Sequence, residues 1–356
     1  MKTVGILTWI HPINYGGVLQ AYALRTTINK LKDCSAEIIN FAPPGVKYMP
    51  YEDTKQGREQ YRKKVEAFNR FRHEKCGIST PVASKVKDGV YDYYCAGSDQ
   101  IWNPIYGYGN KEFLFPDFKD ETKRIAYAAG IGTRTAEDMH CYASLFRNYV
   151  SKFKAVSVRE QYYTEFIRKT CQIDCCCVLD PTLLLEEEEY EPLIVKERLY
   201  EEPFIFLYTL PDEESDPRVV EAANSLSRKY GLPIIHTAVG IHPRMINKNA
   251  GCAVYAKIEE FLWYIKNAAF VVTDSYHGTL LSMRFKTPFY ATHRKGMETR
   301  NKQLIQLYDI GERFVDCYIG PEDLNDAIDF DRIEAIRKKE KRKSMDFLKS
   351  ALDIDE

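Results

Sequence analysis

Short apolar runs alternate with segments of helical periodicity along most of the chain. The runs end at glycine, proline or polar clusters, which is typical of buried strands. The predicted strands cover residues 3–8, 37–41, 91–96, 124–129, 155–160, 176–179, 204–210, 233–238, 270–272 and 289–291. The predicted helices cover residues 18–31, 60–74, 136–149, 218–229, 257–267, 301–307 and 332–352, with two more starting near 161 and 280. Strands that alternate with helices predict parallel sheets, because parallel neighbours require a crossover connection.

The length and one charge break divide this pattern into two blocks. A chain of 356 residues is long for a single core, so we expect two domains. The acidic run at 186–189 marks the boundary between an N-terminal domain, 1–180, and a C-terminal domain, 181–330. Residues 42–88 are an insertion in the first domain, and 331–356 form a basic helix. The predicted fold is α/β, with two Rossmann-like parallel-sheet domains facing across a cleft.

Composition narrows the classes of partner. Fifty basic residues against fifty-one acidic ones give a net charge of −1, which offers no support for nucleic-acid binding. The ten cysteines show no CxxC spacing, so neither a zinc site nor a redox pair is expected. The first residues lack the pattern of a secretory leader, and no apolar run is long enough to span a bilayer. We therefore expect a cytoplasmic location. The basic tail could touch the inner face of a membrane, although alternating charges more often mark a solvated helix face.

One strand–loop–helix corner, TDSYHGT at 273–279, concentrates the candidate chemistry. The start of a helix carries free N–H donors and a partial positive charge, so it suits an anion. His277 lies at this point, and imidazole has the unperturbed pKa nearest neutrality. Asp274, Ser275, Gly278 and Thr279 surround it. The alternative is that His277 only caps the helix.

Two loops in the N-terminal half also follow predicted strands, where open α/β sheets bind ligands. The first contributes Asn14, Tyr15, Gly16 and Gly17, with glycines that let backbone amides approach a ligand closely. The second contributes Ser98, Asp99, Gln100, Trp102 and Asn103. The alternatives are a tight turn for the first loop and an Asx turn with a tryptophan in the core for the second.

Four cationic positions could hold an anion more directly. Arg159 ends a predicted strand, and its planar guanidinium suits carboxylate or phosphate. A salt bridge with Glu160 is the alternative. A later loop offers Arg294, Lys295 and Arg300, which would otherwise be a solvated surface.

Five motifs, in this order, carry a family resemblance: NYGGVLQAY at 14–22, GSDQIWNP at 97–104, SVRE at 157–160, LDPTLL at 179–184 and TDSYHGT at 273–279. Together they resemble the polysaccharide pyruvyl transferase family over roughly residues 3–310. The resemblance implies a GT-B-like fold with a C-terminal helix crossing back. It also implies transfer of pyruvate from phosphoenolpyruvate onto two hydroxyls of a sugar, giving a cyclic ketal and phosphate.

The resemblance also assigns roles to residues. Arg159 and His277 match the functional arginine and histidine of the family, and Asp274 completes the predicted catalytic set. The predicted donor-binding residues are Ser275, Gly278, Thr279, Arg294, Lys295 and Arg300, with a looser match for the last three. The predicted acceptor-binding residues are Asn14, Tyr15, Gly16, Gly17, Ser98, Asp99, Gln100, Trp102 and Asn103. Phosphoenolpyruvate is the donor substrate, and no cofactor or metal is expected, since such catalysis relies on positioning and electrostatics.

Several choices stay open at this point. The acceptor could be polymeric, lipid-linked or nucleotide-linked, and the acid and base are not assigned. The oligomeric state is undetermined. A sugar-nucleotide glycosyltransferase and a non-catalytic glycan- or anion-binding relative are the alternative functions. We expect His277→Ala and Arg159→Ala to lose activity without loss of fold.

Overall fold

The computed structural model describes residues 1–42, 55–80, 82–83, 85–103, 108–132, 136–210, 217–238, 252–293, 298–315, 320 and 327–354. Its first sheet is six-stranded and parallel, in the order β2-β1-β3-β4-β5-β6. The strands are β1 Lys2–Leu7, β2 Cys34–Ile38, β3 Tyr93–Ala96, β4 Lys123–Ala129, β5 Ala155–Val158 and β6 Cys175–Cys177. The carboxyl ends of these strands therefore lie along one edge of the sheet.

The second sheet is five-stranded and also parallel, in the order β11-β10-β7-β8-β9. Its strands are β7 Ile205–Thr209, β8 Ile234–Ala238, β9 Cys252–Ala253, β10 Phe270–Thr273 and β11 Phe289–Ala291. The helices around the two sheets are α1 Tyr15–Asn29, α2 Lys55–Glu74, α3 Ala136–Tyr149, α4 Thr164–Cys171, α5 Glu187–Tyr190, α6 Pro217–Tyr230, α7 Ile258–Asn267, α8 Tyr276–Arg284, α9 Glu298–Tyr308 and α10 Phe330–Ala351. The predicted pair of parallel-sheet α/β domains is confirmed.

The two domains share one apolar core, which fixes how they meet. A continuous buried cluster includes Ile6 in β1, Phe206 in β7 and Leu280 in α8. Tyr15 of α1 stacks on Phe261 of α7 with ring centroids 4.0 Å apart. The Tyr15 hydroxyl donates to the carbonyl of Ala256 at 2.5 Å. The first turn of α1 is therefore held directly against the C-terminal domain.

Several elements differ from their predictions. Helix α2 begins at Lys55 rather than near 60, and the short helix α5 was not predicted. Three further differences have local reasons. Strand β2 lies at Cys34–Ile38 rather than 37–41, because its pairing with β1 ends at Ile38 and Phe41 forms an isolated bridge with Ala83 instead. Helix α8 begins at Tyr276 rather than near 280, because the Ser275 hydroxyl caps it by accepting from the Gly278 amide. Strand β9 has only two residues, which is too short for a detectable pattern.

The insertion contributes helix α2, in which two basic side chains are buried and have structural roles. Arg72 is buried and donates to the carbonyls of His11 and Pro12 at 2.7 and 2.8 Å. The ammonium of Lys64, also buried, lies 4.7 Å from the centre of the Tyr15 ring. Arg72 therefore stabilises the loop before α1, and Lys64 stabilises the domain junction through Tyr15.

Helix α10 runs back from the C-terminal domain to the N-terminal one. Near its start, Glu334 pairs with Arg284 of α8 at 3.0 Å. Further along, Ser344 accepts from the Leu179 amide at 3.0 Å, and Arg337 donates to the Leu183 carbonyl at 2.9 Å. The helix therefore contacts both domains and ties them together. Within the described part of the chain, no helix has the length and apolar character to cross a membrane.

Arg337→Ala should lower the free energy of unfolding by about 2 kcal/mol or more, because the hydrogen bonds of a buried guanidinium are lost and the Leu183 carbonyl loses this donor. The guanidinium is buried and also pairs with Glu186 at 2.5 Å and Glu334 at 2.7 Å. Lys338→Ala, at the next residue, is the matched control, since the Lys338 side chain is 66% exposed. Chemical denaturation compares the two. Equal midpoints for both variants would contradict this role of Arg337.

Candidate active site at the domain junction

The candidate site forms where the carboxyl edge of the first sheet meets the start of α8. Arg159 follows β5 directly, and Asp180 lies just beyond β6. His277 is the second residue of α8, in the other domain. Arg159 and Asp180 are 2% exposed and His277 is 6% exposed. Three ionisable side chains from two domains are thus brought into one buried cluster.

Asp180 is the centre of this cluster. Its Oδ2 accepts from Nη1 of Arg159 at 2.8 Å and lies 3.2 Å from Nε2 of His277. The Ser98 hydroxyl donates to the same oxygen at 3.4 Å. Its Oδ1 accepts from the amide and hydroxyl of Thr182 at 3.0 and 2.7 Å. Both carboxylate oxygens of Asp180 therefore have partners. Oδ1 is bonded within the local turn, and Oδ2 contacts Arg159, His277 and Ser98.

Asp180 and Arg159 are both held in their ionised forms. Burial alone would favour a neutral acid, but the charges of His277 and Arg159 and their hydrogen bonds hold the pKa of Asp180 well below its usual range. For Arg159, burial opposes the charge, while the carboxylates of Glu160 and Asp180 more than offset it and raise the pKa. Within the described residues, Nη2 of Arg159 and Oε2 of Glu160 are buried without a hydrogen-bond partner. A buried guanidinium nitrogen without an acceptor is costly, so this nitrogen is a candidate contact for an anionic ligand.

Two guanidinium groups lie over the ring of Tyr276. Its ring centre is 4.5 Å from Cζ of Arg159 and 5.7 Å from Cζ of Arg300. With its amide oxygen facing Arg300, the Gln100 side chain accepts from both terminal nitrogens at 3.0 Å. Burial raises the pKa of Tyr276 well above its usual value. The phenol therefore stays neutral, and its ring contacts both cations.

Gly16 packs directly against His277. A Cβ atom built on Gly16 would lie 2.6 Å from Cβ of His277 and closer still to Nδ1. Asn14 caps the same turn by accepting from the Gly17 amide at 3.2 Å. Beside this turn, a Cβ on Gly17 would lie 3.4 Å from Oδ2 of Asp99. The close approach of the two domains at His277 therefore requires glycine at position 16.

The chain near Arg159 contains two residues with left-handed backbone, Ala128 (φ 51°) and Asp99 (φ 70°). Ala128 lies at an irregularity in the pairing of β4 with β5, and its amide donates to the Ser157 hydroxyl at 3.1 Å. The Gly130 amide donates to the Asp99 carbonyl at 2.8 Å. Such strain persists where the surrounding structure over-determines it, often at functional sites. Here the strained backbone occurs next to the loops that carry Asp99 and Arg159.

Some predicted acceptor residues pack in the core rather than at the site. Trp102 is buried and donates to the Phe113 carbonyl at 3.2 Å. Tyr15 forms the interdomain stack described above. Asn103 is buried and donates to the Gly132 carbonyl at 3.4 Å. The residues that border the cluster are instead Asn14, Gly16, Gly17, Ser98, Asp99 and Gln100.

The predicted donor corner is arranged differently from expectation. The Gly278 amide donates to the Ser275 hydroxyl at 3.2 Å, and the Thr279 amide donates to the Ser275 carbonyl at 3.0 Å. Both amides are therefore used within the helix. Asp274 accepts from the Leu210 amide at 2.8 Å and so joins the ends of β10 and β7. Arg300 contacts Tyr276 and Gln100. The other two predicted donor-binding cations, Arg294 and Lys295, lie outside the described residues.

Sequence reasoning missed Asp180 and Tyr276 as parts of the site. Both occur inside the quoted motifs, LDPTLL and TDSYHGT. Asp180 also stands before a proline, where an aspartate is expected to cap a turn, and this masks its second role.

Comparison with solved structures places the fold in a class. S. aureus MnaA in complex with UDP has a TM-score of 0.53 and 10% sequence identity, covering 100% of this chain and 98% of that chain. UDP-N-acetylglucosamine 2-epimerase from Rickettsia bellii has a TM-score of 0.56 and 11% identity, covering 99% of this chain and 97% of that chain. The fold is therefore GT-B-like.

The sequence comparison gives a more specific assignment than the fold does. The polysaccharide pyruvyl transferase family matches residues 14–292, which include Arg159, Asp180 and His277. The chain belongs to this family. No curated protein matches it in sequence.

Proposed function

We propose that this chain transfers pyruvate from phosphoenolpyruvate onto two hydroxyls of a saccharide, forming a cyclic ketal and releasing phosphate. The observation that carries the proposal is the buried Arg159–Asp180–His277 cluster, found at the domain junction of a member of this family. The acceptor belongs to a surface polysaccharide or its precursor.

The charges of the cluster suit this donor. Phosphoenolpyruvate carries a phosphate and a carboxylate, and guanidinium groups recognise both through paired hydrogen bonds. Arg159 and Arg300 both lie over the ring of Tyr276, and Nη2 of Arg159 has no acceptor among the described residues. We assign Arg159 to one anionic group of the donor and Arg300 to the other. The N–H groups in the first turn of α8 add a positive dipole.

The reaction then needs proton transfers at defined atoms. Protonation of the donor methylene makes C2 electrophilic, and a sugar hydroxyl attacks it as it loses its proton. Phosphate leaves with the C2–O bond electrons, and the second hydroxyl attacks the same carbon and releases the second proton. In the net reaction, one of the two hydroxyl protons balances the new C–H bond of the methyl group, and the other is taken up by the departing phosphate. His277 serves one of these transfers or stabilises the leaving phosphate, a contribution of about 100-fold or more for a positioned acid or base.

The acceptor would lie along the first turn of α1 and the loop after β3. Asn14, Asp99 and Gln100 border the cluster there, and the Asp99 side chain is only half-buried. MnaA, whose fold is similar, was solved with UDP. A nucleotide-linked sugar is therefore included among the acceptors to be tested, beside lipid-linked and polymeric saccharides.

Calorimetric titration with phosphoenolpyruvate tests the donor assignment. The wild type should bind it, and Arg300→Gln should weaken binding about 10-fold or more, since a charged hydrogen bond contributes about 1.5–3 kcal/mol. Arg198→Gln is the matched control, because that side chain is 64% exposed and pairs only locally with Glu201. Titration of UDP- and GDP-sugars runs in parallel. Binding of a nucleotide sugar with no effect of phosphoenolpyruvate, before or after its addition, would favour a glycosyltransferase instead.

A further inference from the structure

We propose that Asp180 is the positioning residue of this site, holding His277 in the Nε2–H tautomer and fixing Nη1 of Arg159 across the domain junction. The consequence for turnover rests on the proposed function. The tautomer itself does not depend on it.

The Asp180 carboxylate cannot turn away from its partners. Its side chain is fully buried, and Thr182 anchors Oδ1 through an amide and a hydroxyl. Oδ2 is then directed at Nη1 of Arg159 and Nε2 of His277. An ionised carboxylate only accepts hydrogen bonds, and the lowered pKa of Asp180 keeps it ionised. Nε2 of His277 must therefore carry the hydrogen.

This arrangement decides which atoms remain for the substrate. With Nε2 committed to Asp180, Nδ1 is the nitrogen of His277 that can gain or lose a proton. Nδ1 faces Gly16 at the first turn of α1, on the side where we place the acceptor. Similarly, Asp180 takes Nη1 of Arg159 and leaves Nη2 without a described partner. One carboxylate thus prepares a proton-transfer atom and an anion-binding atom together.

The contact also joins the two domains. Asp180 follows β6 of the first sheet, whereas His277 belongs to α8 beside the second. The tautomer is therefore fixed only while the domains are docked. A domain opening would release His277 and leave the site without an oriented imidazole.

Nuclear magnetic resonance of the ¹⁵N-histidine-labelled full chain tests the tautomer without any substrate. We expect the neutral imidazole of His277, assigned with His277→Gln, to show the Nε2–H form. Asp180→Asn should shift it to the Nδ1–H form or to a mixture, because an amide brings a donor among groups that already donate. Asp353→Asn is the matched control, since that carboxylate pairs with Lys123 and Lys154 away from the site. An Nδ1–H form in the wild type, or an unchanged Nε2–H signal in Asp180→Asn, would overturn the proposal.

Kinetics of pyruvate transfer provide the second readout. Asp180→Asn should lower kcat by about 100-fold or more, as expected when a catalytic histidine loses its orienting carboxylate. The KM for phosphoenolpyruvate should rise by a smaller factor, because Arg159 keeps its charge. If the wild type transfers no pyruvate, the proposed function fails while the tautomer result stands. If transfer occurs and Asp180→Asn retains full kcat, the positioning role fails instead.

Discussion

Replacing Gly16 by alanine is expected to lower turnover by about 100-fold, since a displacement of about 1 Å at a reacting group can cost that much. The added methyl group would overlap the His277 ring, so either the ring turns away from Asp180 or the domains separate. Neither sheet is disturbed, and the far-ultraviolet circular dichroism should not change. Steady-state kinetics of pyruvate transfer measure the effect.

Gly311→Ala is the matched control for this substitution, since position 311 belongs to neither the predicted donor nor the predicted acceptor residues. Its methyl group would lie 3.5 Å from Cγ2 of Ile305, an ordinary van der Waals contact. If both variants lost activity equally, the effect would not come from contact with His277.

The second large effect concerns Arg159, and here the structure changes the expectation drawn from sequence. Arg159→Ala should destabilise the fold by about 3–5 kcal/mol, because it leaves the buried carboxylates of Asp180 and Glu160 without their cation. Loss of activity in this variant would therefore not identify a catalytic role. Chemical denaturation measures the destabilisation, and a midpoint equal to that of the wild type would contradict it.

Arg159→Lys separates stability from recognition. Lysine keeps the positive charge beside Asp180 but cannot present a second nitrogen in the fixed fork of a guanidinium. We expect a smaller loss of stability than in Arg159→Ala, together with a raised KM for phosphoenolpyruvate. A lysine variant with unchanged KM would show that Nη2 of Arg159 does not bind the donor.

Much of the fold could be predicted because each strand is a separate apolar run and each helix carries its own periodicity. The predicted element boundaries were wrong at residues whose burial does not depend on regular secondary structure. Ile39 and Phe41 continue an apolar run beyond the end of β2 and are buried, yet the pairing of β2 with β1 ends at Ile38. Similarly, the Ser275 hydroxyl starts α8 earlier than the apolar pattern indicates.

The candidate site was predicted only in part for a different reason. His277 and Arg159 stand out locally, one beside a helix start and the other at a strand end. Asp180 is 97 residues from His277 in the chain, and their contact exists only because two domains dock. No local pattern reports such a contact. The roles of Trp102 and Tyr15 likewise depend on packing with distant rings, Phe146 for one and Phe261 for the other.

The most direct test of the proposed reaction follows the donor carbon itself. The full chain is incubated with [2-¹³C]phosphoenolpyruvate and with polymeric, lipid-linked or nucleotide-linked saccharides, and the products are followed by ¹³C and ³¹P magnetic resonance. We predict a ketal carbon that forms only with an acceptor, in step with phosphate release, and that is absent in His277→Ala. Phosphate release without a ketal carbon, or transfer of sugar from the nucleotide in the same mixtures, would contradict pyruvate transfer.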